Sequence, residues 1–445
     1  MMKEININFE NLCGQIKPMN AVNNGPTTKG VRGAPSSFDK YAEASIPYAR
    51  NHDASFFTGY GGEHTVDVHR IFRNFDADEN DPASYIFEPT DKYLEETLKA
   101  GTKIFYRLGA SIEHGYKYGT YPPKDFEKWA RICEHIIRHY NEGWANGFEW
   151  NIEYWEIWNE PDCRNRNGEN PCWQGTNPEF AKFFDVAIRY LKEKFPKLKI
   201  GGPAICSVWS ENALEILDEM KKLGTKPDFF SYHWYGDKIE KLEQTFARAK
   251  ELAEDTFYPG IELILNEWNY IRGWHGDDWN YSLATEKNLK GASFVLSAMA
   301  AGQKAPLDML MYYDARPCGM NGLFAATTYE ALKPYYVFKS FSDLATLGRE
   351  IKTVDGDDIY SLAATNGSES ALLLTYFSDE EKEEQILKLN FEKFNTGSPL
   401  KIEYYLLDDS HDLELVREEI FAADAFAAYI KMPLYTTYLM KISRI

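Results

Sequence analysis

The sequence predicts an α/β protein, a (β/α)8 TIM barrel with a C-terminal antiparallel β-sandwich accessory domain. Three observations carry that expectation. Eight strand signals alternate with helical periodicity up to about residue 347. Residue types suited to chemistry fall at the C-terminal ends of those strands, where such a barrel keeps its functional loops. They are Arg50 and His52, Glu113 and His114, Asn159 and Glu160, His233 and Tyr235, Glu267, and Tyr313 with Asp314. From Glu350 onward the helical spacing gives way to short alternating runs. The expected division is a barrel over residues 10-348 and a sandwich over 349-445, completed by residues 1-9.

Residues 3 to 9 alternate polar residues with Ile5, Ile7 and Phe9 and predict a half-buried strand of the accessory sheet, leaving Leu12 to Met19 as the first barrel strand. Residues 20 to 36 are rich in Gly, Pro, Asn and Thr and predict a loop at the barrel mouth. Ile46 to Asn51 is the second strand. The insertion from Asp53 to about Thr90 is long and aromatic, which favours a folded lid over a linker. Its Gly59-Tyr60-Gly61-Gly62 lacks the Lys-Ser/Thr of a phosphate loop. Tyr93 to Ala100 predicts a helix stopped by Gly101, and Lys103 to Gly109 the third strand. Phe126 to Tyr140 is amphipathic. His135 and His139 share one face of it at metal-ligand spacing, but Ile136 stands where a zincin has its Glu, so a solvated face is expected.

The fourth strand is the centre of the chain. Tyr154-Trp155-Glu156-Ile157-Trp158 is an apolar run ended by Asn159-Glu160-Pro161-Asp162, and Pro161 stops ladder pairing. A carboxyl group is thereby held at the rim, with indoles expected beneath it. A polar loop from Cys163 to Pro178 follows and would overhang the site. Helices are expected over Phe180 to Phe195, Asn212 to Leu223, Ile239 to Ala253, Ser282 to Ala301 and Pro334 to Leu347. The fifth strand, Lys199 to Ile205, carries Gly201-Gly202-Pro203 at a crowded point, and the sixth ends His233-Trp234-Tyr235. The seventh, Ile261 to Tyr270, places Glu267 between Asn266 and Trp268; Trp268 reads equally as core wall or sugar platform. The eighth is Met309 to Tyr313. Six alternating runs after residue 357, with an Asn366-Gly367 hairpin turn, make the sandwich.

Composition narrows the partners. The chain has 445 residues, 44% hydrophobic and 26% charged, as in an ordinary globular protein. A net charge of −19 disfavours nucleic acid and anionic membranes. No secretory h-region and no long apolar run is present, so a cytoplasmic location is expected. The cysteines at 13, 133, 163, 172, 206 and 318 show no C-x-x-C and are expected as reduced thiols. Cys163 and Cys172 bracket a loop and would bridge only on export. No metal or cofactor is expected, and a homo-oligomer is left open.

Two strand-end carboxyls form the pair that glycoside hydrolysis needs, one to protonate the leaving oxygen and one to attack the anomeric carbon or activate water. WEIWNEPD, followed about a hundred residues later by ILNEWN, resembles the retaining (β/α)8-barrel glycoside hydrolases of clan A. Arg50-Asn51-His52 and His233-Trp234-Tyr235 make the chain most similar to family 39, the β-xylosidase and α-L-iduronidase family. The resemblance implies Glu160 as acid/base and Glu267 as nucleophile. It also implies Arg50 holding Glu267 ionised, Asn159 donating to the sugar 2-hydroxyl, and Tyr235 or Tyr313 positioning Glu267. His52, His233, Glu113, His114, Trp268 and Asp314 complete the expected substrate-binding set. The implied substrate is an oligosaccharide or glycoside losing a terminal sugar, as in a β-xylosidase. Another activity of the clan, such as an α-L-arabinofuranosidase, β-glucosidase or endo-glycanase, and a non-catalytic sugar-binding barrel are the alternatives.

Overall fold

A computed structural model describes residues 3–28, 35–52, 64–110, 119–320, 322–393, 399–422 and 425–445. Eight parallel strands close into a barrel: Ala21–Asn23, Tyr48–Arg50, Lys103–Leu108, Tyr154–Ile157, Lys199–Ile205, Phe229–Gly236, Glu262–Tyr270 and Met309–Tyr312. At the base of the barrel Phe105, Tyr154, Phe229, Ile264, Met309 and Met311 fill the interior. Beneath them Lys199 joins the Tyr154 hydroxyl (2.7 Å) and Glu262 (2.8 Å), so that end is plugged and chemistry is left to the other.

The helices follow their sequence signals closely. Asn177–Lys194 starts on a Thr176/Glu179 capping box, and Glu211–Leu223 ends on Gly224 in the left-handed conformation. The crowding expected in the fifth strand is present. Gly202 has φ +138°, and a Cβ there would lie 2.8 Å from the Ile157 carbonyl of the strand that carries the rim carboxyl.

Four expectations are corrected. The first barrel strand is Ala21–Asn23, whereas Leu12–Gln15 pairs antiparallel with Arg349–Ile351 in a sandwich sheet, so the expected limit at residue 10 falls too early. A three-residue strand buried on both faces shows no alternation to read. The long apolar helix is two, Gly276–Thr285 and Leu289–Lys304, the second started by the Asn288 side chain. His139 is buried rather than solvated: Phe87 stacks on it at 3.6 Å, and it meets Asp91 Oδ1 (3.2 Å) and the Trp144 carbonyl (2.9 Å). Aromatics from the strand-2 insertion cover that helix face, which no local pattern announces.

The last correction concerns the sandwich. Its sheets are the three-stranded Lys3–Asn8, Gln385–Glu392, Phe426–Met432 and a seven-stranded sheet running from Asp412–Phe421 to Leu12–Gln15. They share one apolar core, including Ile7, Leu374, Leu389, Ile402 and Met440. Lys3–Asn8 joins as expected but pairs parallel to Gln385–Glu392. The strand Asp412–Phe421 is an acidic edge with alternating exposure, a composition that protects an edge and hides it from a reading based on apolar runs. The helix Leu289–Lys304 lies against this sandwich, with Ser293 bonded to Thr375 (2.7 Å) and Lys304 to the Ser361 carbonyl (2.8 Å), which explains its burial on all sides. Among the described residues no helix is long and apolar enough to cross a membrane.

Candidate active site

Arg50 organises the mouth of the barrel. Its guanidinium is fully buried and divides four ways. Nε donates to Glu156 Oε2 (2.6 Å), Nη1 to Asn23 Oδ1 (3.1 Å) and Glu267 Oε1 (2.7 Å), and Nη2 to Asn159 Oδ1 (2.7 Å). The four partners come from three barrel strands or their ends, Glu156 and Asn159 both from the fourth. Glu156 is itself fully buried and takes further hydrogen bonds from Ser231 (2.6 Å) and Asn266. One cation thus faces two carboxylates, the arrangement in which a planar five-donor group serves and a point charge does not.

Glu267 is gripped on both oxygens. Oε1 accepts from Arg50 and lies 3.5 Å from His52 Nε2; Oε2 accepts from the Tyr235 hydroxyl at 2.9 Å. Burial, then the charge of Glu267, pushes the Tyr235 phenol well above its usual range, so it keeps its proton and donates. These donors favour the ionised carboxylate and aim it. Glu160 is the more open of the two, 15% exposed against 7% for Glu267. His233 Nδ1 stands between them, 2.8 Å from Glu160 Oε1 and 3.5 Å from Glu267 Oε2. An oxygen of Glu160 and an oxygen of Glu267 lie within 4.8 Å of each other. That is the short class of carboxyl pair, about 5–5.5 Å, rather than the one of about 6.5–9.5 Å that leaves room for a water.

Burial holds His233 down at about 4, so the imidazole is neutral at pH 7. A histidine with a depressed folded-state value contributes fully above its unfolded value of about 6.5 and loses that contribution as pH falls through about 4. Between pH 7 and pH 5 His233 is expected to account for a loss on the order of 2 kcal/mol. Urea unfolding of the wild type and of His233→Asn at both pH values checks this: the wild type is expected to lose about 2 kcal/mol more than the variant.

The other expected residues divide. Asn159 is anchored through its oxygen by Arg50, which leaves its amide NH2 to donate toward a bound sugar. Tyr313 presents its ring edge to His52 and Tyr235, with centroids 6.4 Å away in both cases, and its hydroxyl lies 3.4 Å from Arg316 Nη2. Asp314 is fully buried and binds the Arg316 backbone N–H (2.7 Å) and guanidinium (2.6 Å). Of the two readings of Trp268 the structure shows the core wall and not the sugar platform, since alternation turns it away from Glu267 into the helix layer against Tyr312 and Phe294. Trp158 likewise points outward, onto Trp129, Trp173 and Phe183, so indoles do not underlie Glu160. Glu113 and His114 lie outside the described residues.

Sequence reasoning missed three features. Glu156 and Ser231 sit inside strands, and Asn23 ends a three-residue strand that reads as loop, so none carries a rim signal. Trp274, 48% exposed, stands edge-on to Tyr235 at 5.2 Å and stacks on Trp279. Cys163, Cys172 and Cys206 converge on Glu160, and the neighbouring thiols lower the Cys163 pKa.

A parallel barrel that brings two strand-end carboxyls to this spacing, one clamped by an arginine and one beside a neutral histidine, has the two-carboxylate geometry of the retaining glycosidase class. Residues 60–291 match the model of glycosyl hydrolases family 39, and the chain belongs to that family. It is 29% identical over 228 residues to a beta-xylosidase of Caldicellulosiruptor saccharolyticus, covering 46% of this chain and 43% of that one. It is 24% identical over 337 residues to a beta-xylosidase of Geobacillus stearothermophilus, covering 68% and 64%. The chain thus spans less than two thirds of either relative. Among solved structures, a glucosidase from Croceicoccus marinus superposes with a TM-score of 0.81 at 19% identity over 100% of this chain and 99% of that one. A monomeric beta-xylosidase from Caulobacter crescentus CB15 does so at 0.74 and 16%, over 100% of both chains.

Proposed function

We propose that the chain is a retaining glycoside hydrolase of β-xylosidase type, releasing a terminal sugar by double displacement. The observation that carries this is the approach of Glu160 and Glu267 to within 4.8 Å around one shared histidine. Glu267, held ionised by Arg50 and Tyr235, attacks the anomeric carbon while Glu160 delivers a proton to the leaving oxygen. In the second step Glu160 takes a proton from water, which displaces Glu267 from the sugar. Asn159 donates to the 2-hydroxyl, a contact that tightens as positive charge develops on the ring. His233, neutral and 2.8 Å from Glu160, lets the acid keep or release its proton without adding a charge to the site. Trp274, half exposed beside Tyr235, offers an aromatic ring against which a sugar or aglycone could lie. The two relatives named above are beta-xylosidases, which supports xylose as the sugar to try first.

A panel of 4-nitrophenyl glycosides tests the reading, with the β-D-xyloside expected to be hydrolysed fastest. Glu160→Ala is expected to lower kcat/KM on unactivated glycosides by about 10²- to 10⁴-fold and to spare kcat/KM on activated aryl glycosides, whose leaving groups need little protonation, while kcat falls on both because the second step loses its base. Equal loss of kcat/KM on both kinds of substrate would remove Glu160 from the acid role.

A further inference from the structure

Three cysteines that hydrolysis does not use surround Glu160. The turn that follows the fourth barrel strand brings the Cys163 N–H onto the Glu160 carbonyl (3.1 Å). Asp162 Oδ1 accepts the Cys206 N–H (2.7 Å) at the end of the fifth strand, and Asn170 holds the Cys172 N–H (2.8 Å) in the overhanging loop. As a result the sulfurs of Cys163 and Cys206 and an oxygen of Glu160 all lie within 4.8 Å of one another. Cys172 Sγ lies 4.0 Å from Glu160 Oε2. All three cysteines are free thiols. Asp162 is buried beside them, and its Oδ2 has no hydrogen-bond partner among the described residues. The pocket therefore gathers groups that become ligands on losing a proton, and two of the three converging ligands are soft sulfur.

Such a donor set has a chemical preference. Thiolates select zinc-like and softer ions over magnesium and calcium. A tetrahedral ion with sulfur at about 2.3 Å sets its ligands about 3.8 Å apart, so groups already within 4.8 Å need to close by only about 1 Å. We propose that Cys163, Cys206 and Glu160, with Cys172 alongside, form a site for a thiophilic divalent cation of the zinc class, and that its binding withdraws Glu160 from protonating the leaving group. The thiols release their protons to solvent on binding, and no redox step is involved. The site is inhibitory; hydrolysis itself requires no ion there. The inhibitory part rests on the proposed role of Glu160, while the binding part stands on the ligand geometry alone.

The test titrates the reduced full-length protein with Cd²⁺, whose thiolate complexes absorb in the ultraviolet, in the presence of a phosphine reductant. One Cd²⁺ per chain is expected to saturate the charge-transfer band, and hydrolysis is expected to fall in step with it. C163S and C206S are each expected to weaken binding by at least about 10-fold. Each variant then resists the ion, compared with its own metal-free rate. C13S, at an exposed thiol of the sandwich sheet, is expected to behave as wild type. Absence of the band in the wild type, or a band unchanged in both C163S and C206S, overturns the site, and the wild-type titration decides even if a variant fails to fold. A band without loss of hydrolysis overturns the involvement of Glu160. Because the band is read without substrate, a failure to bind Cd²⁺ and a failure to hydrolyse any glycoside are separate results.

Discussion

Glu267→Ala is expected to lower kcat by on the order of 10⁴- to 10⁶-fold, the scale seen when one member of a catalytic unit is removed. The fold is expected to survive, because Arg50 keeps Glu156 as its counter-ion at 2.6 Å. The same change opens a small space at the anomeric carbon. Azide entering there is expected to restore turnover on an activated glycoside, and its product has the opposite anomeric configuration, since a single displacement replaces two. Steady-state rates with and without azide, and the configuration of the glycosyl azide, check both parts. A residual rate above about 1% of wild type without azide would remove Glu267 from the nucleophile role.

Arg50→Met is expected to have the largest effect on the fold itself. Arg50 is the cation between Glu156, fully buried, and Glu267, nearly so. Removing it leaves two carboxylates to face each other in a low-dielectric mouth, and breaking a buried pair of this kind costs about 3–5 kcal/mol. Chemical unfolding at pH 7 measures this. Activity is expected to fall as well, because Asn159 and Glu267 lose the donor that aims them. Arg50→Lys is expected to recover little, since an ammonium on one stem does not serve four acceptors spread across the barrel mouth. A variant within about 1 kcal/mol of wild type would show that the arrangement does not depend on this charge.

The legible parts of this chain were those governed by local pattern. Apolar runs ended by Asn-Glu-Pro or Asn-Glu-Trp located both rim carboxyls, and Gly and capping residues marked helix ends where the structure has them. The illegible parts depend on which way a side chain turns once the barrel closes. Trp268 and Glu267 are neighbours in sequence, yet one faces the helix layer and the other the mouth. Glu156 looked like a stray acid in an apolar strand until Arg50, 106 residues away, was placed against it. Ala21–Asn23 was too short to signal a strand, and Asp412–Phe421 too acidic. The convergence of Cys163, Cys172 and Cys206 joins two loops that only the fold brings together.

The spacing of Glu160 and Glu267 makes one stereochemical commitment, and proton NMR of the sugar released in the first minutes of hydrolysis, before mutarotation, reads it directly. The anomer formed first is expected to have the configuration of the substrate, β from a β-glycoside. An initial product of the opposite configuration would mean that water, not Glu267, attacks the anomeric carbon, and would contradict the double displacement proposed here.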